Sequence, residues 1–126
     1  MPNGNILIVD YEPHIIEMLK IELEHAGYAV FGAVNMEEAV NIVNRERIDL
    51  GFFDLNLPGV NGMEIYHALK KIKPGLKGVV FTGSPDIYLK LQEEIFSSDI
   101  IDDILRKPMR MGEAAAAAKK LLKDTH

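Results

Sequence analysis

The sequence predicts an α/β fold in which helices cover both faces of a parallel sheet. Five short segments rich in apolar residues alternate with five stretches whose apolar residues recur every three or four positions, although aspartates interrupt the fifth segment. The first segment, residues 6–9, is a continuous apolar run, which is typical of a strand buried on both faces. Strands that alternate with helices form parallel sheets joined by right-handed crossovers. We therefore expect a doubly wound (βα)5 domain.

Composition limits the domain count and the partners. The chain has 126 residues, a net charge of −5 and no cysteine. This length suits one core, so we expect a single domain over residues 1–126. The negative charge argues against nucleic acid or an anionic membrane surface as partner. The absence of cysteine excludes disulfides and thiol nucleophiles. The N-terminus resembles neither a signal peptide nor a membrane span. Both observations are consistent with a location in the cytoplasm.

The first strand and helix are predicted from an apolar run and its punctuation. Residues 6–9 form the first strand. Pro13 suits the first turn of a helix, and Gly27 provides its stop. Residues 28–34 follow as the second strand. The first helix is expected to bury Ile16, Leu19, Leu23 and Ala26.

The middle of the chain repeats this alternation. Asn35, with Glu38 three residues later, resembles a capping box that opens the second helix. Residues 50–53 form the third strand, and a third helical pattern begins at Met63. The side chains expected to face the core are Met36, Ala39, Val40 and Val43 on the second helix and Ile65, Ala68, Leu69 and Ile72 on the third.

The last third supplies two more strands and helices. Residues 78–81 form the fourth strand, and Ser84 followed by Pro85 gives an N-cap and a first-turn proline for the fourth helix. The fifth strand is placed at residues 102–105 and the last helix at 111–123. The expected inward residues are Tyr88, Leu91 and Ile95 on the fourth helix and Met111, Ala115, Ala118 and Leu122 on the fifth.

Polar side chains follow four of the five predicted strands. These residues are Asp10, Asp54, Thr82 and Lys107. Because ligands bind open α/β sheets outside the carboxyl ends of the strands, we expect these side chains to converge on one edge. A buried strand that ends on a carboxylate, as the third does at Asp54, requires a solvated pocket or a metal to compensate the charge.

The chemistry that these groups suit is phosphoryl transfer. Two neighbouring carboxylates can hold Mg²⁺ through oxygen, and an aspartate can act as a nucleophile that becomes an aspartyl phosphate. An ammonium and a hydroxyl can neutralise and hydrogen-bond phosphoryl oxygens. Singly, Asp10 could be a helix cap, Thr82 a strand end and Lys107 a surface lysine, but the four together favour a site.

The sequence resembles the receiver domain of two-component response regulators over nearly the whole chain. The matching segments are residues 6–10, 53–58 with Gly62, 81–83 and 105–108. The resemblance implies a flavodoxin-like three-layer sandwich with strand order 2-1-3-4-5. In that order the first and third strands are neighbours, so Asp10 would lie beside Asp54.

The resemblance also implies a function in phosphorelay signal transduction. Asp54 would accept a phosphoryl group from a histidine kinase or a histidine phosphotransfer protein. Asp10, Asp54 and the backbone carbonyl of Asn56 would hold Mg²⁺, while Thr82 and Lys107 would bind the phosphoryl oxygens. Such a phosphoprotein is not an enzyme in the ordinary sense, since its own catalysis is at most slow self-phosphorylation and dephosphorylation.

Three departures from the family pattern matter. Tyr11 replaces the second acid, and a phenol that is neutral at pH 7 is a poor Mg²⁺ ligand, so we expect weaker metal binding. Glu12 could reach in instead, or serve only the helix N-terminus. Ile104 replaces the switch aromatic and has no polar tip to swing. The segment from Thr82 to Lys107 is longer than usual, which predicts a remodelled surface there.

Other functions stay open at this point. One alternative is a pseudo-receiver that docks proteins without being phosphorylated. A haloacid dehalogenase phosphatase would need an aspartate where Asn56 stands, and a flavodoxin-like binder would need a glycine- and hydroxyl-rich loop in place of residues 10–13. The histidines show no metal-ligand spacing; they are His14, His25, His67 and His126.

The partners follow from the same resemblance. A downstream protein is expected to contact the face formed by the fourth helix, the fifth strand and the fifth helix, and a homodimer is possible. Since only four residues of the sequence follow Leu122, we expect no output domain within it. The chain therefore signals by docking, acts as a relay, or is one piece of a longer protein.

Overall fold

The computed structural model describes residues 2–97 and 101–122, and within them five strands alternate with five helices. The strands are Asn5–Val9 (β1), Ala29–Ala33 (β2), Leu50–Asp54 (β3), Lys77–Thr82 (β4) and Asp103–Arg106 (β5). The helices are Pro13–His25 (α1), Met36–Arg45 (α2), Gly62–Ile72 (α3), Pro85–Ser97 (α4) and Glu113–Leu122 (α5).

The strands form one parallel sheet in the order β2-β1-β3-β4-β5, which confirms the predicted fold. Val9 pairs with Phe53, so the residues that follow them, Asp10 and Asp54, end neighbouring strands. Further along the sheet, Asp54 pairs with Phe81, the residue before Thr82. The register therefore aligns the carboxyl ends of β1, β3 and β4.

Two apolar cores lie on the two faces of the sheet, because successive strand residues point to opposite sides. Leu7 and Val9 of β1 belong to the core that α2, α3 and α4 cover. Ile6 and Ile8 belong to the core that α1 and α5 cover. This is the three-layer arrangement that the resemblance implied. In the part of the chain that the structure describes, every helix is too short or too polar to cross a membrane.

The predicted helix caps are confirmed, with one shift. Asn35 Oδ1 accepts a hydrogen bond from the Glu38 N–H at 2.9 Å. The Glu38 carboxylate accepts from the N–H of Val34, one residue earlier than an ideal capping box requires. Ser84 Oγ accepts the Ile87 N–H at 3.3 Å and opens α4. Gly27 ends the α1 turn with a φ of 102°, which a side chain would disfavour.

Some predicted boundaries and core positions are wrong. Ala26 follows the end of α1 and is exposed, and Ile72 at the end of α3 is 40% exposed. Met111 is 96% exposed, because the chain turns at Gly112 (φ 95°) and α5 begins only at Glu113. The residues that α5 buries are Ala114, Ala117, Ala118 and Leu122.

Smaller differences concern single residues at the ends of elements. The structure ends β2 at Ala33 rather than at residue 34 and places β5 one residue later than predicted. Ala115 is only partly buried against its core. The predictions for the Ile95 side chain, Lys123 and His126 lie outside what the structure describes.

Candidate functional site

The carboxyl edge of the sheet gathers the four polar residues that the sequence singled out. Asp10 and Thr82 are fully buried, and Asp54 is 3% exposed. Lys107 directly follows β5, and its side chain is 21% exposed to solvent. Its backbone N–H donates to the carbonyl of Thr82 at 2.8 Å, which continues the pairing of β4 and β5. The convergence follows from this register.

Lys107 joins the two aspartates. Its Nζ donates to Asp10 Oδ2 at 3.0 Å and to Asp54 Oδ2 at 3.2 Å. The ammonium also lies 5.0 Å from the centroid of the Phe81 ring, so an aromatic face supports it from β4. One cation therefore serves two buried carboxylates contributed by distant parts of the chain.

The second oxygen of each carboxylate is held by the loop that follows its strand. Asp10 Oδ1 accepts the Glu12 N–H at 2.8 Å, and Asp54 Oδ1 accepts the Asn56 N–H at 3.1 Å. Such bonds to the backbone two residues on are Asx-turns. They fix the direction of each carboxylate before any ligand binds.

The electrostatics of the site follow from burial and from the shared cation. Burial raises the pKa of Asp10, the neighbouring Asp54 adds to this, and the Glu12 N–H and Lys107 oppose it. Burial alone would lower the pKa of Lys107, but the two aspartates more than compensate and raise it. Lys107 therefore stays charged, and full ionisation leaves one excess negative charge in a largely buried site.

Thr82 ends β4 beside this cluster. Its Oγ1 accepts the N–H of Ser84, the N-cap residue of α4, at 3.1 Å. A threonine hydroxyl can accept this bond and still donate its own proton. Thr82 therefore connects the carboxyl edge of the sheet to the start of α4.

Gly62, the first residue of α3, packs against the backbone of Asp54. A Cβ atom at this position would lie 2.9 Å from the Asp54 carbonyl carbon and 3.3 Å from Phe53 Cβ. The sequence indicates only loop punctuation and a family match at this position. Only the packing of α3 on β3 reveals that the absence of a side chain allows Asp54 its position.

The structure describes the two substituted positions, Tyr11 and Ile104, and the alternative ligand Glu12. Tyr11 is 59% exposed. Glu12 reaches Asp10 through its backbone N–H, while its carboxylate lies 3.3 Å from Nε2 of His14, an exposed pair. Ile104 is 4% exposed and packs within the core, and it has no polar tip that would favour a position in solvent.

The donor set is compatible with Mg²⁺, although it is small. Among the described residues, no group of three or more histidine, aspartate or glutamate side chains could hold a metal ion. Asp10 and Asp54 supply two oriented carboxylates with an excess negative charge, and the Asn56 carbonyl is a further oxygen donor. Mg²⁺ is commonly bound by one or two carboxylates, with waters in its other positions. These residues fit such an ion.

Comparison with known proteins gives a consistent result. A family model described as the response regulator receiver domain matches residues 6–119. Sporulation initiation phosphotransferase F of Bacillus subtilis is 32% identical over 122 residues, which cover 97% of this chain and 96% of that protein. The chain spans only 22% to 54% of the length of the transcriptional regulatory proteins that it also matches.

Solved structures extend the similarity to the fold. A response regulator receiver domain protein (CheY-like) from Methanospirillum hungatei superimposes with a TM-score of 0.81 at 30% identity, covering 96% of this chain and 94% of that one. The response regulator TrrA from Thermotoga maritima, in complex with Mg²⁺ and BeF, gives 0.78 at 33% identity, covering 94% and 98%.

Proposed function

This chain belongs to the family of response regulator receiver domains of two-component systems, and from that premise we propose that Asp54 is its phosphoacceptor. One observation carries the proposal: Asp54 is buried at the carboxyl edge of the sheet and shares the ammonium of Lys107 with Asp10. A buried, oriented carboxylate with a cation beside it is suited to form an aspartyl phosphate.

The proposed reaction transfers a phosphoryl group from a histidine of the partner. A carboxylate oxygen of Asp54 bonds to phosphorus while the phosphorus–nitrogen bond breaks, and the nitrogen keeps the electron pair. If the other ring nitrogen is protonated, the donor leaves as neutral imidazole. Lys107 neutralises charge on the phosphoryl oxygens, and the Thr82 hydroxyl donates a hydrogen bond to one of them.

The same site would hold Mg²⁺. Asp10, Asp54 and the backbone carbonyl of Asn56 would bind the ion, whose charge offsets that of the phosphoryl group. Glu12 would bind the ion only if its carboxylate left His14, which it contacts at 3.3 Å. Since Tyr11 adds no carboxylate, we expect weaker Mg²⁺ binding than a second acid would give. Any phosphorylation and dephosphorylation that the chain catalyses on itself would be slow.

The partner and the setting complete the proposal. The phosphodonor would be a histidine kinase or a histidine phosphotransfer protein, and a downstream protein would contact the face of α4, β5 and α5. A single receiver domain spanning residues 1–126 in the cytoplasm suits this role. One relative is named sporulation initiation phosphotransferase F, and this name supports a relay.

Intact-mass spectrometry tests the proposal. The chain is incubated with Mg²⁺ and acetyl phosphate, and separately with a phosphorylated histidine kinase. We expect one phosphoryl adduct on the native chain and none on Asp54→Asn. Asp86→Asn, which removes an exposed carboxylate in the first turn of α4, serves as the matched control and should keep the adduct.

Two results would contradict the proposal. An adduct that persists in Asp54→Asn would move the acceptor elsewhere. No adduct from either donor would favour the alternative, a receiver-like module that docks its partners unmodified.

A further inference from the structure

A cavity of about 340 Å³ opens between α4 and the segment that joins β5 to α5. Tyr88 of α4 forms one wall, and Arg106, Lys107, Arg110 and Glu113 line the other side. Lys107 connects this cavity to the phosphoacceptor site, because the same side chain binds Asp10 and Asp54. The cavity therefore adjoins the proposed chemistry without being part of it.

The charge of the cavity is opposite to that of the chain. The whole chain carries −5, whereas three cationic residues and one carboxylate line this cavity. The Lys107 ammonium is occupied by the two aspartates, and the Glu113 carboxylate accepts the backbone N–H of Arg110 at 3.2 Å. Neither Arg106 nor Arg110 forms an ion pair with any residue that the structure describes.

Tyr88 gives the cavity an aromatic wall that neighbouring side chains contact. Its hydroxyl accepts a hydrogen bond from Gln92 Nε2 at 2.9 Å, one turn further along α4. The Arg106 guanidinium lies 5.7 Å from the centroid of the Tyr88 ring, so the ring helps to place this cation. A guanidinium placed in this way keeps its forked donors for a carboxylate.

We propose that this cavity docks an acidic segment of a partner protein. Carboxylates of the segment pair with Arg106 and Arg110, and an apolar side chain packs on Tyr88. The inference rests on the proposed function, because it names the chemistry of the downstream partner expected at the face of α4, β5 and α5. Nucleic acid also offers anions, but its dense charge is repelled by a chain of net charge −5.

Fluorescence anisotropy with a defined probe tests this docking site. The probe is a short fluorescein-labelled peptide of glutamate, leucine and phenylalanine, and its control carries glutamine in place of each glutamate. We expect the Arg106→Gln/Arg110→Gln double variant to weaken binding of the acidic peptide at least about tenfold, since paired charges at the centre of an interface dominate affinity. Tyr88→Ala should weaken it less.

A matched variant separates the site from general charge. Arg45→Gln/Arg47→Gln removes the same two charges from exposed positions at the end of α2 and just beyond it. It should bind the acidic peptide as the native chain does. Equal weakening by both double variants, no binding to the native chain, or equally tight binding of the glutamine peptide would overturn the proposal.

Two further measurements separate the possible failures. A DNA duplex that displaces the peptide at lower concentration than the unlabelled peptide does would overturn the proposal in favour of nucleic acid. All titrations are repeated with Asp54→Asn and without a phosphodonor. Binding that survives there supports the docking site whatever the mass spectrometry shows, so the two proposals fail independently.

Discussion

Aspartates stand at both ends of the central sheet, but in different surroundings. At the amino end, Asp49 accepts the N–H of Asn5, the first residue of β1, at 2.9 Å. Asp102 accepts the N–H of Gly78 near the start of β4 at 2.8 Å. Both carboxylates remain accessible to water. They satisfy backbone donors where strands begin, and nothing about them requires a ligand.

At the carboxyl end, Asp10 and Asp54 are buried and share one ammonium. Burial of charge costs free energy unless partners compensate it, and here two carboxylates depend on a single cation. The comparison teaches that a polar strand end is not by itself a site. A site is indicated where charges are buried together and remain incompletely balanced.

The largest expected effect comes from glycine substitutions near the two ends. Gly62→Ala should lower the free energy of unfolding by about 3 kcal/mol, because the new Cβ would force the Asp54 backbone to move. Gly75→Ala, before the start of β4, has no atom within 4 Å of the new Cβ. That substitution should be neutral or stabilising by about 0.5 kcal/mol.

Urea unfolding of both glycine variants measures these changes. Equal losses would show that Gly62 does not support the position of Asp54. A large loss at Gly62 should be accompanied by slower phosphorylation, whereas Gly75→Ala should be phosphorylated at the native rate.

The second-largest expected effect is a difference in stability between lysine substitutions at the two ends of the sheet. Lys107→Ala leaves Asp10 and Asp54 without their cation, and we expect a folded chain less stable by about 2 kcal/mol, below the cost at a fully buried pair because water reaches Lys107. Phosphoryl-dependent changes should be impaired. Lys77→Ala at the amino end removes the bond from Nζ to the Leu121 carbonyl, which costs about 1 kcal/mol or less.

Circular dichroism and urea unfolding distinguish the two lysines. If Lys107→Ala fails to fold, its role is structural, and the comparison between the ends loses its basis.

Addition of a carboxylate at the carboxyl end of the sheet should increase the affinity for Mg²⁺. Tyr11→Asp should tighten Mg²⁺ binding about tenfold, or 1.4 kcal/mol, because it supplies another oxygen ligand. Glu12→Gln should change the affinity little, because the Glu12 carboxylate lies beside His14. Isothermal titration with Mg²⁺ gives both affinities, and an unchanged value in Tyr11→Asp would remove this account of Tyr11.

The smallest expected effect is a change in folding stability whose sign differs between aspartate substitutions at the two ends of the sheet. Asp10→Asn removes one of two buried like charges and should stabilise the fold at pH 7 by about 1 kcal/mol, a gain often found at functional sites. Asp49→Asn weakens the bond to the Asn5 N–H and should destabilise by about 0.5 kcal/mol. If both substitutions reduced the stability by the same amount, the proposed difference between the two ends of the sheet would be contradicted.

The pH dependence of the Asp10 effect follows from its raised pKa. A carboxyl whose pKa is higher in the folded than in the unfolded chain binds its proton more tightly when folded, so its ionisation costs stability as pH rises through the folded pKa. The gain in stability from Asp10→Asn should therefore be largest near neutral pH. It should vanish as pH falls toward 3.8, the ordinary pKa of an aspartate. Urea unfolding as a function of pH measures it.

Local pattern alone identified the elements and the candidate site. Short apolar runs predicted four strands, and a segment interrupted by aspartates predicted the fifth, all within one or two residues. The caps at Asn35 and Ser84 were predicted from neighbouring residues. Asp10, Asp54, Thr82 and Lys107 could be named because parallel strands present their ends at one edge. The strand order, in contrast, came from a family resemblance, since periodicity does not specify which strands pair.

Tertiary structure decided the contacts between distant residues. Lys107 reaches an aspartate that lies 97 positions earlier, Gly62 leaves room for Asp54, and Arg106 packs on Tyr88. The turn at Gly112 left Met111 exposed although helical spacing placed it in the core. Hydrophobic periodicity describes one segment at a time, whereas these contacts depend on strand register and on how each helix packs against the sheet.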